Sequence, residues 1–123
     1  RPAHPHANHL RTHLLDNVEH ASEGISSALR YAAASPSAYH AHHMPSHLYL
    51  RLGQWEDAVT ANQAAEKISD SYVEQFKVPR ADFFDSHSAE FLHYALLQQG
   101  RYEEATAVLQ REIEFEHKYR VAQ

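Results

Sequence analysis

The chain has 123 residues, 43% of them hydrophobic and 22% charged, which predicts one folded, soluble and mainly helical domain over 1–123. Its net charge of −5 at pH 7, without a basic stripe, argues against nucleic-acid binding, and no apolar run is long enough to span a membrane. The absence of cysteine excludes disulfides and thiolate metal sites, whereas the twelve histidines are several times the usual number.

Apolar spacing and the positions of glycine and proline predict six helices in an all-α fold. In chain order they cover 5–16, 23–35, 37–52, 55–72, 84–99 and 102–119. Pro36 closes the first pair of helices, and Ser37 is the expected N-cap of the third. Pro45 is placed inside the third helix, because a helix that began there would be too short, and we expect a kink at this proline.

The longest connection is predicted between the fourth and fifth helices. Pro79 interrupts the 69–85 stretch, and Asp82 or Asp85 could cap the fifth helix. We therefore expect residues 73–83 to form an inserted loop.

Two segments of the chain share one pattern. RLGQWEDAVTANQAAE (51–66) and QQGRYEEATAVLQREI (98–113) both contain a glycine, a spacer, an aromatic residue, two acidic residues and an alanine. We expect each glycine to end a helix in a tight turn, each aromatic ring to wedge between helices and each alanine to allow close packing. These shared positions are Gly53 and Gly100, Trp55 and Tyr102, and Ala58 and Ala105.

This pattern resembles the tetratricopeptide repeat (TPR) family, whose units are helical hairpins of 34 residues. The resemblance covers nearly the whole chain, in units over about 5–36, 37–72 and 84–119. It implies three stacked antiparallel helical hairpins, a TPR-like α-solenoid that is either whole or part of a longer array. The segments HPHANHLRTH and HMPSHLYLRLGQW also resemble a His-rich bacterial set of uncharacterised TPR-like proteins, which brings no established activity.

The histidines follow the same period. His6, His9 and His13 recur 34 positions later as His40, His43 and His47. Their spacing of i, i+3 and i+7 places each set on one face of a helix. Shifting the second set by 47 residues, the separation of Gly53 and Gly100, reaches His87, Glu90 and Tyr94.

This histidine stripe predicts a transition-metal site. The TPR resemblance implies that all three sets line one concave groove, and an i, i+4 histidine pair is how helical zinc sites present two imidazoles. We expect zinc first, with copper, iron or nickel as alternatives, and one or two ions. The predicted metal ligands are His9, His13, His43, His47, His87, Glu90, His6 and His40. Of these, His6 and His40 lie at helix starts and could instead cap a helix or support a ligand.

The remaining histidines are not predicted ligands. His42 and His93 fall at positions that usually pack between helices, whereas His20 and His117 are expected in solvent. His4 precedes a proline and could approach the site.

Two further polar residues leave alternatives open. Arg51 continues the stripe of the third helix and could hold an anionic substrate or form an ion pair. Tyr94 could support a ligand or simply pack. The predicted core consists of Leu14, Leu15, Ile25, Leu29, Leu48, Trp55, Val59, Phe91, Leu92, Leu96 and Leu109.

Three functions are compatible with this sequence. The first is a metal-binding domain that stores, senses or delivers an ion or supports metal-assisted chemistry, so enzymatic activity is left open. The second is a TPR scaffold that binds a peptide or protein in its groove without metal. The third is a pH-responsive scaffold, because clustered imidazoles repel one another once protonated. The end helices could also contact a second copy of the chain.

Overall fold

The computed structural model describes residues 4–78 and 86–120, which form six α-helices and contain no strand. The helices are α1 (Pro5–Leu14), α2 (Ala21–Ala34), α3 (Tyr39–Leu52), α4 (Trp55–Phe76), α5 (Ser86–Gln98) and α6 (Tyr102–Arg120). The all-α prediction is confirmed, and the largest boundary difference is the longer C-terminal end of α4. Within the described ranges, no helix has the length and apolar character needed to cross a membrane.

Each helix packs against the next one along the chain. In addition, α1 contacts α3, and α3 contacts α5. The odd-numbered helices therefore lie side by side, with α3 at the centre. This arrangement brings together the helices that carry the histidine stripe.

Two glycines end helices as predicted. Gly53 follows α3 and Gly100 follows α5, with φ angles of 68° and 71°, in the left-handed region that favours glycine. After α3, the Gln54 N–H donates to the carbonyl of Tyr49 at 2.9 Å, which satisfies one carbonyl of the last turn.

The start and middle of α3 test two predictions. Ala38, not Ser37, occupies the N-cap position and makes no side-chain hydrogen bond, so the Ser37 prediction is wrong. The helix begins one residue later than that cap required, after a turn in which the Ala38 N–H donates to Ser35. Pro45 lies inside the continuous helix, as predicted, and is buried. The proposed caps Asp82 and Asp85 lie outside the described residues.

The apolar core is largest where α4, α5 and α6 meet, and a smaller one lies between α2 and α3. The larger cluster contains Ala58, Val59, Ala89, Leu92, Ala95, Leu96, Ala105 and Val108. The smaller cluster contains Ala21, Ala28 and Leu48. Alanine predominates, so the helices approach closely, and the predicted packing roles of Ala58 and Ala105 agree with their burial.

Several predicted core residues are exposed instead. Leu14 is 77% exposed, Leu29 48% and Leu109 45%, and Tyr102 does not wedge between helices because it is 66% exposed. Three of these four lie on α1 or α6, the first and last helices, which have neighbours on fewer sides. Apolar periodicity alone does not reveal which face of an end helix is covered. Trp55, by contrast, is half-buried, and its ring packs against Tyr94.

The interface of α1 with α2 is polar. Asn8, Thr12 and Ser27 are buried there, and the Thr12 hydroxyl donates to the Asn8 carbonyl at 2.9 Å. Arg30 donates to the Asn8 side chain at 3.3 Å and to the Ser27 hydroxyl at 3.1 Å. The buried polar groups are thus hydrogen-bonded, as stability requires.

Candidate metal centre

Six histidines from α1, α3 and α5 form two groups of three. We call His9, His13 and His40 the outer triad, and His43, His47 and His87 the inner triad. Within each triad, one ring nitrogen per residue lies within 4.8 Å of the corresponding atoms of the other two residues. Each triad therefore combines an i, i+4 pair from one helix with a third histidine from the adjacent odd-numbered helix.

The two triads adjoin each other. The ring centroids of His13 and His47 are 5.3 Å apart, and those of His40 and His43 are 5.9 Å apart. The six imidazoles consequently form one continuous row across α1, α3 and α5. Such a row could hold one ion in each triad.

The distances in the outer triad resemble those between ligands of one ion. The Nε2 atom of His9 lies 3.1 Å from Nε2 of His13 and 3.1 Å from Nε2 of His40. Nitrogens bound to zinc at about 2.0–2.1 Å are about 2.8–3.0 Å apart in octahedral geometry and about 3.3–3.4 Å apart in tetrahedral geometry, and 3.1 Å lies between these values. His9 and His40 are half-buried, whereas His13 is exposed.

The inner triad is more buried. His43 is fully buried and His47 is 8% exposed, whereas the His87 side chain is 49% exposed. The Nε2 atoms of His43 and His47 are 3.1 Å apart, again a separation typical of two ligands of one ion. Phe91 packs against all three rings, at centroid distances of 5.0, 4.8 and 4.6 Å, and provides an apolar wall.

A buried amide orients the His43 ring. Asn62 of α4 donates through Nδ2 to the Ala58 carbonyl at 2.8 Å, which directs its Oδ1 atom toward α3. His43 Nδ1 lies 2.7 Å from this oxygen, so Nδ1 must carry the proton and donate it. The Ser46 hydroxyl donates to the His43 carbonyl at 2.7 Å and lies 3.3 Å from Asn62 Oδ1. Neutral His43 therefore has its lone pair on Nε2.

A carboxylate orients the His47 ring. His47 Nδ1 donates to Asp16 Oδ2 at 3.0 Å, and Arg51 Nε donates to Asp16 Oδ1 at 2.7 Å. Burial would raise the pKa of Asp16, but the hydrogen bonds from Arg51 and His47 outweigh it and hold that pKa below its ordinary value. Asp16 is therefore ionised near neutral pH and can only accept, so neutral His47 also has its lone pair on Nε2.

These two orientations direct two lone pairs at each other. No proton is available for a hydrogen bond between Nε2 of His43 and Nε2 of His47 while both rings are neutral. Their 3.1 Å separation matches that of two nitrogens that share one cation, either a metal ion or an added proton. Hydrogen bonds of this kind, from the other ring nitrogen to an amide or carboxylate oxygen, are the usual support of metal-binding histidines.

Protonation is disfavoured at one histidine of each triad. Burial lowers the pKa of His47, and the hydrogen bond to Asp16 only partly opposes this effect. Burial, followed by the neighbouring His13, His40 and His6, lowers the pKa of His9. At these two histidines, neutral imidazole, the form that ligates metals, is thus favoured at neutral pH.

Six of the eight predicted ligands lie in the triads, and two lie outside them. His6 is exposed, and its ring centroid is 6.3 Å from that of His9. Glu90 is exposed, and its carboxylate is 4.0 Å from His87 Nδ1.

Other residues singled out from the sequence lie around the centre. Arg51 forms the ion pair that was one of its two predicted roles, and Tyr94 packs against Trp55 with ring centroids 5.9 Å apart. His42 lies 3.1 Å from the Pro36 carbonyl and takes no part in either triad. His20 is exposed and hydrogen-bonds to Glu23 at 3.1 Å.

Sequence reasoning missed Asp16 and Asn62. The signal for Asn62 was available in the sequence. Counted from Ala58, Asn62 is at i+4 and Ala65 at i+7, so all three lie on the small-residue face of α4 that packs inward. Asp16 gave no such signal, since it follows α1 in a loop and reaches a histidine 31 residues away.

Comparison of the chain with protein-family models, curated protein sequences and solved structures gives no match in any of the three. The interpretation of the centre therefore rests on its own geometry.

Proposed function

We propose that this domain binds transition-metal ions through its two histidine triads, with the inner triad as the site of higher affinity. The observation that carries the proposal is the pair of Nε2 lone pairs of His43 and His47, which face each other at 3.1 Å. Asn62 and Asp16 orient both rings for one common cation.

A metal ion suits this position better than a proton. A shared proton would create a buried imidazolium, and burial already lowers the pKa of the adjacent His47. A metal ion would use both lone pairs and accept a third nitrogen from His87, whose ring centroid is 4.9 Å from that of His43. The nearby Asp16 carboxylate would offset part of the added positive charge.

Three imidazoles favour zinc among the candidate ions, with copper, nickel and iron as alternatives. Protein sites with three histidines usually keep a fourth position for water or substrate. The exposed side of the inner triad, at His87, is where such a position would lie. An open position suits reversible storage or delivery of the ion and also metal-assisted chemistry on a small molecule.

We further propose that the six helices form a TPR-like α-solenoid with the triads in its concave groove. The contacts of α1 with α3 and of α3 with α5 support this arrangement, as do the left-handed glycines after α3 and α5. The 34-residue period of the histidines gives independent support.

Elemental analysis of untagged protein, purified without chelator, tests the metal proposal. We expect one or two equivalents of a single transition metal, and a loss of at least one equivalent in the His43→Ala/His47→Ala variant. His20→Ala/His117→Ala removes two exposed histidines outside the triads and is the matched control, which should retain the full metal content.

His87→Ala covers the case in which the double variant fails to fold, because this side chain is half-exposed, whereas His43 and His47 are buried. It should fold and bind the ion more weakly. A folded wild type that retains no metal, even after dialysis against micromolar zinc, copper, nickel and iron, would refute the proposal. That result would favour a metal-free scaffold that binds a peptide.

A further inference from the structure

A cleft of about 240 Å³ opens beside the inner triad. Its wall includes His47, so a molecule in the cleft would lie next to an ion held by that triad. The other lining residues are Asp16, Leu50, Arg51, Phe91 and Tyr94. Pockets for drug-sized ligands usually exceed about 300 Å³, so this cleft suits a smaller molecule.

The polar part of the cleft favours an anion. Arg51 donates to Asp16 through Nε, and over residues 4–78 and 86–120 its two Nη atoms make no hydrogen bond. The Arg51 side chain is 49% exposed, so these donors remain accessible to a ligand. Tyr94, 47% exposed, adds a phenol on the same cleft. A guanidinium with free Nη donors matches the geometry of a carboxylate.

The remaining walls are apolar. Leu50 and Phe91 are both half-buried, and Phe91 also packs against the three rings of the inner triad. A ligand with a short apolar group would cover this surface and exclude water from the side of the centre. Burial of that group would favour binding through the hydrophobic effect.

The charges around the cleft make the binding of an anion depend on a metal ion in the inner triad. Without an ion, Arg51 and Asp16 neutralise each other, and an incoming anion also meets the Asp16 carboxylate. A divalent ion in the inner triad would add two positive charges on the opposite side of the His47 ring. An anion would then be attracted by Arg51 and by the ion together.

We propose that this cleft binds a small carboxylic acid, with its carboxylate on Arg51 and its apolar group against Leu50 and Phe91. The proposal rests on the proposed metal-binding function, because the ion supplies the net positive charge. By thermodynamic linkage, the acid must tighten metal binding by the same factor by which the metal tightens binding of the acid.

Isothermal titration of the zinc-loaded protein with phenylacetate tests the proposal, with zinc content measured in the same samples. Phenylacetamide has nearly the same shape without the charge, and we expect it to bind at least tenfold more weakly. Arg51→Gln should weaken phenylacetate binding at least tenfold and leave phenylacetamide binding unchanged. Arg51→Lys should lie between Arg51→Gln and wild type, because it restores the charge without the planar pair of donors.

Arg111→Gln is the matched control, since this arginine is 52% exposed and pairs with Glu66 away from the cleft. It should bind phenylacetate as wild type does. Zinc-free protein should bind phenylacetate at least tenfold more weakly than loaded protein.

Any one of four results would overturn the proposal. Zinc-loaded protein that does not bind phenylacetate, or binds the amide equally well, refutes the carboxylate site and leaves the metal function intact. Protein that takes up no zinc, copper, nickel or iron refutes both. An acetylated tripeptide ending in phenylalanine that binds more tightly than phenylacetate would assign the cleft to the C-terminus of a peptide instead.

Discussion

The inner and outer triads share their ligand atoms and spacing but differ in what holds the rings. Both contain an i, i+4 histidine pair with Nε2 atoms 3.1 Å apart. In the inner triad, Nδ1 of each paired histidine bonds to a side-chain oxygen. In the outer triad, by contrast, Nδ1 of His9 and of His13 has no hydrogen-bond partner among the described residues. The ligands repeat along the chain, whereas their supports do not.

The 34-residue period explains this difference. His9 corresponds to His43, and the residue that corresponds to Asn62 is Ala28, which is buried but cannot accept a hydrogen bond from a ring. Where α4 offers an amide, α2 therefore offers a methyl group. Support of the ring, more than possession of the ligand, is what distinguishes a preorganised metal site from a histidine cluster.

The largest expected effect comes from removing each pair of ligands in turn. His43→Ala/His47→Ala should abolish the tighter site and weaken the first binding constant by more than about 100-fold, because a lost ligand costs more than a lost support. His9→Ala/His13→Ala should leave the tighter site and remove only weaker binding. Competition against a chromophoric chelator measures both constants. Equal losses in the two variants would contradict the ranking of the triads.

Asp16→Asn should weaken the inner site by about 10–100-fold without removing a ligand. The amide lacks the charge that stabilises the His47 ring, and it also breaks the pairing with Arg51. Binding at the outer triad should remain unchanged, since the Asp16 carboxylate hydrogen-bonds to His47 and Arg51 and, among the described residues, to no histidine of the outer triad.

Glu23→Gln is the matched control for Asp16→Asn. Glu23 also accepts a hydrogen bond from a histidine Nδ1, that of the exposed His20, at 3.1 Å. Its replacement should leave every metal constant within experimental error. If Asp16→Asn behaved as Glu23→Gln does, the carboxylate would be an ordinary ion-pair partner and the inner triad would have no special support from it.

Asn62→Ala should destabilise the metal-free protein by about 1–3 kcal/mol. The substitution leaves the buried Nδ1–H of His43 without its acceptor and creates a small cavity. Urea unfolding in the presence of chelator measures the change. Gln63→Ala, an exposed amide on the same helix, should change stability by less than about 0.5 kcal/mol. Similar values for the two variants would show that Asn62 does not hold the His43 ring.

The comparison of the triads also shows what the sequence could predict. Most helix boundaries and the six histidines of the triads follow from periodicity that a single sequence already carries. Asp16 and Asn62 depend on how separate helices pack, across 31 and 19 residues of chain. For the same reason the sequence pattern wrongly predicts that Leu14 and Tyr102 are buried, whereas both are exposed. Non-local packing is the part that periodicity does not encode.

The smallest expected effect is a pH dependence of the metal-free protein. The pKa values of His9 and His47 lie below the ordinary 6.5, so the folded state binds fewer protons than the unfolded chain as pH falls through this region. The free energy of unfolding is therefore unaffected by these two histidines above about pH 6.5. It decreases as the pH falls from there toward the lowered pKa values of His9 and His47. We expect a lower urea midpoint at pH 5.5 than at pH 7.5, by less than the change for Asn62→Ala.

His9 and His47 should contribute differently to this pH dependence of stability. Asp16 partly restores the pKa of His47 through a hydrogen bond, whereas the neighbours of His9 are histidines that lower its pKa further. His9→Gln should accordingly reduce the midpoint difference between pH 5.5 and 7.5, while His20→Gln, at an exposed site, should preserve it. Coincident unfolding curves at the two pH values would show that protonation of the row of imidazoles does not destabilise the fold. The clustering would then reflect the demands of a ligand and not a pH-responsive scaffold.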